Sequence, residues 1–472
     1  MNAARTILCL LVSQAPLVTA QAQNRIASGD IQELYSRECA SCHGQTGEGG
    51  LGGSLVDDQW RIGASDEDIA RAIREGAPEL GMPAYGETLG EKQIRSLVVY
   101  IRELRHKASP PPPEGQPQAA LASQLHDFQL ERLIEFADDS FWSIDFLPDG
   151  TMLLSGFSGG VYLARDGGLD KVVGTPEVWR HGQGGMLDVV AHPEYRENRW
   201  VYLSFADSDD GGQTGSTRIV RGRIEGGEWR DQQDIYTTPA EFHTGSGVHF
   251  GCRIVFRDGH LFFPIGDRGR MHNAQRLDNP FGKVHRLHDD GRVPEDNPFT
   301  GRDDALPTIW CYGNRNPQGL ALHPRTGELW ETEHGPRGGD ELNLIRRGEN
   351  YGWPVVTHGI NYNGTPITGR TAAPGMRQPA THWTPSIAVC GMDFYHGDAF
   401  PRWRDHVFVG GLASRQLHRL ELDGGRVVAE EVVMKAPGRV RDIRNGPDGY
   451  LYLAINQGRG SDGRVYRLLP AR

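Results

Sequence analysis

Apolar positions near the start of the chain recur at helical intervals. Ile31, Leu34 and Tyr35 follow Asp30, and Ile69 and Ile73 follow Ser65-Asp66, an N-cap pair. Ile94, Leu97, Val98 and Ile101 stand at i, i+3, i+4 and i+7. This spacing predicts a small all-α domain over residues 24–107. Four prolines, Pro110 to Pro113, and a polar stretch to about Gln124 follow. Proline runs form stiff spacers, so 108–124 reads as an interdomain linker.

Over 125–472 the period shortens. A turn containing Pro or Asp-Gly precedes an apolar run six times. The pairs are Pro148-Asp149-Gly150 before MLLSGF, Pro193 before WVYLSFA and Asp258-Gly259 before LFFPIGD. Pro324 then precedes ELWETEHG, Pro401 precedes HVFVGG, and Pro447-Asp448-Gly449 precedes YLYLAI. Repeated four-stranded units over about 350 residues predict an all-β six-bladed propeller. Their irregular spacing implies long loops, where function concentrates.

Composition agrees with this picture. Gly supplies 62 of 472 residues, about 13% against a usual ~7%, as a turn-rich β protein requires. A net charge of −11 with interspersed signs gives no support to a nucleic-acid partner. Residues 1–22 carry Arg5, an apolar stretch and Ala20-Gln21-Ala22, the pattern of a secretory signal. No later run is long enough to span a bilayer. The expected location is periplasmic or secreted.

The helical region contains Cys39-Ala40-Ser41-Cys42-His43, a C-x-x-C-H motif. This is the attachment pattern of covalent haem c, in which two thiols bind the porphyrin and His43 binds iron. Met82, in Gly81-Met82-Pro83, is the one Met between Asn24 and Lys107 and so the candidate sixth ligand. The region resembles a small class I cytochrome c over nearly all of residues 25–107.

The propeller region concentrates charge in short motifs. They are Val248-His249-Phe250-Gly251-Cys252-Arg253, Ile265-Gly266-Asp267, Gly313-Asn314-Arg315-Asn316, the run Glu333 to Glu341, Asn350-Tyr351-Gly352-Trp353-Pro354, and Arg439-Val440-Arg441-Asp442. Two Arg at i, i+2 on a strand share a face and can grip one anionic ligand. Acidic residues beside exposed carbonyls suit Ca²⁺. Together they outline an anionic cofactor, a cation and a general base.

These motifs resemble the soluble glucose/sorbosone dehydrogenase family, six-bladed propellers that bind pyrroloquinoline quinone (PQQ). The resemblance implies that His249 is the catalytic base, with Asp267 supporting it. It places Arg315 and Asn316 near the quinone carbonyls, Gln183 against PQQ, and Arg439 and Arg441 on the PQQ carboxylates. It gives the Gly335 and Pro336 carbonyls to a Ca²⁺ at the cofactor, and Glu341 and Tyr351 to a second, structural Ca²⁺. The family often has a Lys contacting PQQ where Ala413 stands here, with Arg415 as the candidate substitute. Met271 to Asn279 does not align, and the pairing of Cys252, Cys311 and Cys390 is open.

The implied function is a quinohaemoprotein that oxidises an aldose at its anomeric hydroxyl to the lactone by hydride transfer to PQQ. Electrons would pass to the fused haem and then to an external acceptor, such as a soluble cytochrome or a respiratory-chain component. Two rivals remain at this point: a Ca²⁺-dependent lactonase-like propeller, and a non-catalytic binding propeller that carries a cytochrome.

Overall fold

The computed structural model describes residues 30–109, 120–251, 253–458, 460 and 462–471. The signal segment 1–22, most of the linker and Cys252 lie outside these residues.

The N-terminal domain is built on helices α1 (Asp30–Glu38), α2 (Ala40–His43), α3 (Asp66–Glu75) and α4 (Glu91–Ala108). Ser65 caps α3 through a reciprocal box. Its Oγ accepts from Asp68 N at 3.1 Å, and Asp68 Oδ2 accepts from Ser65 N at 3.2 Å. Ile31, Tyr35, Ile69, Ile73, Ile94, Leu97, Val98 and Ile101, the residues of the helical spacing, are all buried in one core with Leu34.

The rest is a six-bladed propeller of five four-stranded antiparallel sheets and one five-stranded sheet. Each of the six turn-plus-apolar units supplies the second strand of a blade: Met152–Gly156, Val201–Asp207, His260–Ile265, Leu329–Glu333, Val407–Gly411 and Leu451–Asn456. The sixth blade closes the ring. Its last strand, Gly463–Pro470, pairs with Asp127–Phe136 from before the first blade. Ala120–Ala122 adds a fifth strand there, with Leu121 buried in the sixth-blade core. The propeller therefore begins a few residues earlier than the polar composition of 108–124 predicts.

Adjacent blades are stitched by buried carboxylates. Asp145 accepts from Ala191 N at 2.7 Å, Asp188 from Ile254 N at 2.8 Å, and Asp340 from Val389 N at 3.1 Å. Asp393 accepts from Asn445 N at 3.0 Å and Asp442 from Ile144 N at 2.8 Å. Each ties a backbone N–H of the following blade to a carboxylate of the one before it. At the axis, Arg253 donates to Asp188 Oδ1 and to the Gln318, Trp142 and Arg441 carbonyls, joining four blades.

The helical domain sits against the propeller through α4. Arg337 donates to both Glu103 oxygens at 2.7 and 2.6 Å, and Arg95 donates to the His358 carbonyl. Arg337 is two residues from Gly335, so this seam borders the propeller loops singled out by their motifs. Among the described residues no helix is long and apolar enough to cross a membrane.

Candidate active site

His249 lies in a loop with φ 56°. Its backbone N–H donates to Gln183 Oε1 at 2.9 Å. Arg268, buried beneath the loop, donates to the Val248 and Ser246 carbonyls and lies 3.5 Å from the centre of the Phe250 ring. The His249 Nδ1 edge meets Asp267 Oδ1 at 2.6 Å, and Trp353 Nε1 donates to Asp267 Oδ2 at 2.8 Å. This chain fixes the tautomer: Nδ1 carries the proton toward Asp267, and Nε2 is the basic atom. Burial, with the nearby Arg315 and Arg268 charges, holds the His249 pKa below the usual histidine range against the opposing pull of Asp267. Burial pushes the Asp267 carboxyl up, but the His249 hydrogen bond and charge, with Arg315 and Trp353, overcome it and hold the pKa low. The segment that does not align, Met271 to Asn279, supports this relay from behind, because Gln275 donates to the Trp353 carbonyl at 2.8 Å.

Gln183, Asn316, Arg439 and Arg441 line one pocket at the propeller axis. The pairing register shifts between Val440 and Asp442, which leaves Arg441 in a bulge, yet both arginines still reach this pocket. Arg441 lies over the Trp142 indole, 3.7 Å from its centre. Trp142, His334, Gln318 and Leu412 also line the pocket and were not singled out from the sequence. His334 had a signal in its place beside Gly335. Trp142 had none, because its role arises from the approach of the first and sixth blades. Burial and the Arg315 charge push the His334 pKa down to about 3, and its buried Nε2 has no partner. An orphan acceptor, two arginines and two amides fit a flat polyanionic cofactor with hydrogen-bonding edges. Arg415 is exposed, and from its loop Leu412 reaches the pocket instead. Arg415 therefore does not replace the missing Lys.

Arg315 lines an adjoining small cavity with Glu333, Gly335, Glu341 and Tyr351. Its Nη1 donates to the His334 and Gly335 carbonyls at 3.0 and 2.8 Å. Glu331 and Glu333 stand on one strand, and Glu341 faces Glu333 on the next. Burial first, then the neighbouring carboxylates, pushes Glu331 up to about 8 and Glu333 well above its usual range. Burial and the Asp340 charge push Glu341 up to about 7. Glu331 Oε2 is buried without a partner. Among the described residues no ion pair joins Glu331, Glu333 or Glu341 to a basic side chain, and only Arg315 opposes the rise at Glu333; three such carboxyls fit a hard cation with oxygen ligands. Two Glu at i, i+2 in the otherwise strand-like run LWETE were the available signal for Glu331 and Glu333. The Tyr351 hydroxyl accepts from Arg346 N and donates to the Leu344 carbonyl, which leaves only its backbone carbonyl to offer an ion. Cys311 and Cys390 are buried free thiols.

In the helical domain, His43 Nδ1 is 2.8 Å from the Gly53 carbonyl, which leaves Nε2 for iron. Cys39, Met82 and Trp60 pack against the same core, and Trp60 Nε1 is buried without a partner. A thiol, a thioether and an orphan donor around one apolar core fit a haem with an acidic edge.

Residues 138–467 match the family model described as glucose/sorbosone dehydrogenase. The chain belongs to this family. The dehydrogenase propeller is 40% identical over 342 residues to aldose sugar dehydrogenase YliI of Escherichia coli, covering 70% of this chain and 90% of that one. The apo crystal structure of the Escherichia coli soluble aldose sugar dehydrogenase superposes with a TM-score of 0.68 at 37% identity, over 73% of this chain and 100% of that one. The PQQ-bound aldose sugar dehydrogenase of Streptomyces coelicolor gives 0.59 at 25% identity, over 74% and 99%. Residues 27–101 match the model of the cbb3-type cytochrome c oxidase subunit III. The chain is thus a dehydrogenase propeller, an oxidoreductase fold, with a cytochrome c domain at its N-terminal side.

Proposed function

We propose that this chain is a periplasmic or secreted quinohaemoprotein that oxidises an aldose at its anomeric hydroxyl to the lactone and delivers the electrons to an external acceptor. The observation that carries this reading is the His249–Asp267–Trp353 relay beside a pocket lined by Gln183, Asn316, Arg439 and Arg441. A hydrolytic propeller has no use for that arginine-lined cofactor pocket or for a haem motif.

In this reading Arg439 and Arg441 would hold the carboxylates of PQQ, and Gln183 and Asn316 would hydrogen-bond to it. PQQ, when bound, supplies a two-electron acceptor. Cys39 and Cys42 would attach haem c, His43 and Met82 would bind its iron, and the haem would supply a one-electron relay. His249 Nε2 takes the proton of the sugar hydroxyl, and Asp267 stabilises the imidazolium that results. The Arg315 guanidinium places positive charge where negative charge develops. Gly335 and Pro336 offer carbonyls to a Ca²⁺ at the cofactor. Glu341, now with Glu331 and Glu333, offers oxygens to a second ion, to which Tyr351 adds its carbonyl. The Gly335 carbonyl already accepts from Arg315, so an ion there shares that oxygen or displaces the guanidinium.

The test is to add PQQ and Ca²⁺ to the haem-loaded protein and supply aldoses without a mediator. Haem reduction that needs both sugar and PQQ is expected. Release of a hydrolysed product without haem reduction favours the hydrolase.

A further inference from the structure

A cluster of ligand-type side chains stands apart from this site, at the seam between the domains. Asp66, the first residue of α3, meets His358 and His382 of the fourth blade, and one ligand atom from each lies within 4.8 Å of the others. The two imidazoles lie face to face, with ring centres 3.7 Å apart and planes 12° from parallel. His358 is 8% exposed, and neither Nδ1 has a hydrogen-bond partner. Buried polar atoms are nearly always satisfied, so two orphan ring nitrogens beside a carboxylate point to a missing shared partner.

We propose that Asp66, His358 and His382 form a binding site for a divalent transition ion of the zinc type, completed only when the cytochrome domain sits against the propeller. Two imidazoles and one carboxylate are the donor set of such ions, whereas Ca²⁺ takes oxygen ligands. Imidazole binds metal in its neutral form, and burial, with the nearby arginines, lowers the pKa of both rings. Three protein ligands leave a fourth position to water, and a cleft lined by Asp66, Arg102, His106 and His382 opens beside them.

The surroundings limit the affinity. Asp66 also pairs with Arg95 at 2.9 Å and Arg102 at 2.8 Å, and Arg105 lines the cleft. The ion shares a carboxylate already engaged by two guanidinium groups, so it binds more weakly than in an anionic zinc cage. A shared ion lies near both ring planes, so one ring of the stack turns on binding. His382, the less buried of the two, borders the cleft. His358 is two residues from Ile360, whose backbone exchanges hydrogen bonds of 3.0 Å with Arg337. A metal here therefore clasps α3 to the same loops that border Gly335.

The test is calorimetric titration of the haem-loaded full chain with Zn²⁺ in excess Ca²⁺, which fills the oxygen sites. Wild type is expected to bind one Zn²⁺ at this site, and His382→Ala to weaken it at least tenfold. Loss of the exposed His272 as His272→Ala leaves it unchanged. Thermal unfolding separates binding from packing. The midpoint rises with Zn²⁺ in wild type and His272→Ala, while His382→Ala keeps a cooperative transition that Zn²⁺ does not move. His382→Gln, which retains a planar polar group but ligates poorly, is the second variant should the alanine form unfold. Equal Zn²⁺ affinity in wild type and in whichever His382 variant folds, or a wild-type midpoint indifferent to Zn²⁺, overturns the proposal.

Discussion

His249 holds a left-handed backbone, φ 56°, which a side chain adopts only where its surroundings enforce it. Gln183 and Arg268 enforce it here by binding the amide and the carbonyls of the loop. Removing the base as His249→Ala is expected to lower turnover ~10²–10⁴-fold while PQQ affinity, read by fluorescence quenching, stays intact. Near-normal sugar oxidation would take His249 out of the mechanism. The pH profile tests its partner. Activity needs neutral His249, so kcat/KM falls as pH drops through the His249 pKa. Asp267 raises that pKa, so Asp267→Asn is expected to move the acid limb to lower pH and reduce the plateau. His249, Asn316 and the Arg439/Arg441 pair were legible because each sits in a compact motif. The Trp142 stack on Arg441 was not, since it depends on first-blade and sixth-blade strands brought together only by the ring.

At the scale of the strand, Glu331 and Glu333 stand at i, i+2 in a fully buried second strand. Burial pushes Glu331 up to about 8 and Glu341 up to about 7, above the unfolded value near 4.3. Between those limits the folded state holds more protons than the unfolded one, so the metal-free fold loses stability as pH rises from about 4.5 to 8. In the proposed reading a bound Ca²⁺ would replace those protons. Melting curves with chelator are expected to fall with pH over this window, and curves with Ca²⁺ to stay level. Curves that coincide at pH 8 would remove the ion from this strand pair. The strand that carries both arginines gives a second test: replacing Arg439 and Arg441 together by Ala weakens PQQ binding, and excess PQQ partly restores activity. Unchanged PQQ affinity would break the carboxylate assignment. The second strands were readable as elements because a turn signal fixes their start and both faces are buried. Outer strands such as Glu228–Thr237 are mostly exposed and offer no run to read. The clasp strand Asp127–Phe136 gave no hint of its partner at the far end of the chain.

For the whole molecule, the question is whether two redox domains form one electron path. Met82→Ala is expected to lower the haem potential, because a thioether ligand favours ferrous iron, and to slow sugar-driven haem reduction. Dyes that take electrons at the propeller should still be reduced. Equal loss of both activities would assign Met82 to folding instead. The two-domain arrangement was legible from the change of hydrophobic period, but the seam was not, since Glu103 and Arg337 read singly as solvated charges.

The way the ring closes also sets a timetable. The strand Asp127–Phe136 is among the first parts of the propeller to be made, and its partner Gly463–Pro470 comes about 330 residues later. At ~5–20 residues per second of synthesis, the early strand waits tens of seconds with an edge unpaired. Until the C-terminal strand arrives, Arg439 and Arg441 stand on an unclosed blade. In the proposed reading PQQ capture therefore follows formation of the strand Gly463–Pro470, and loss of that strand would leave an open arc in place of a closed ring.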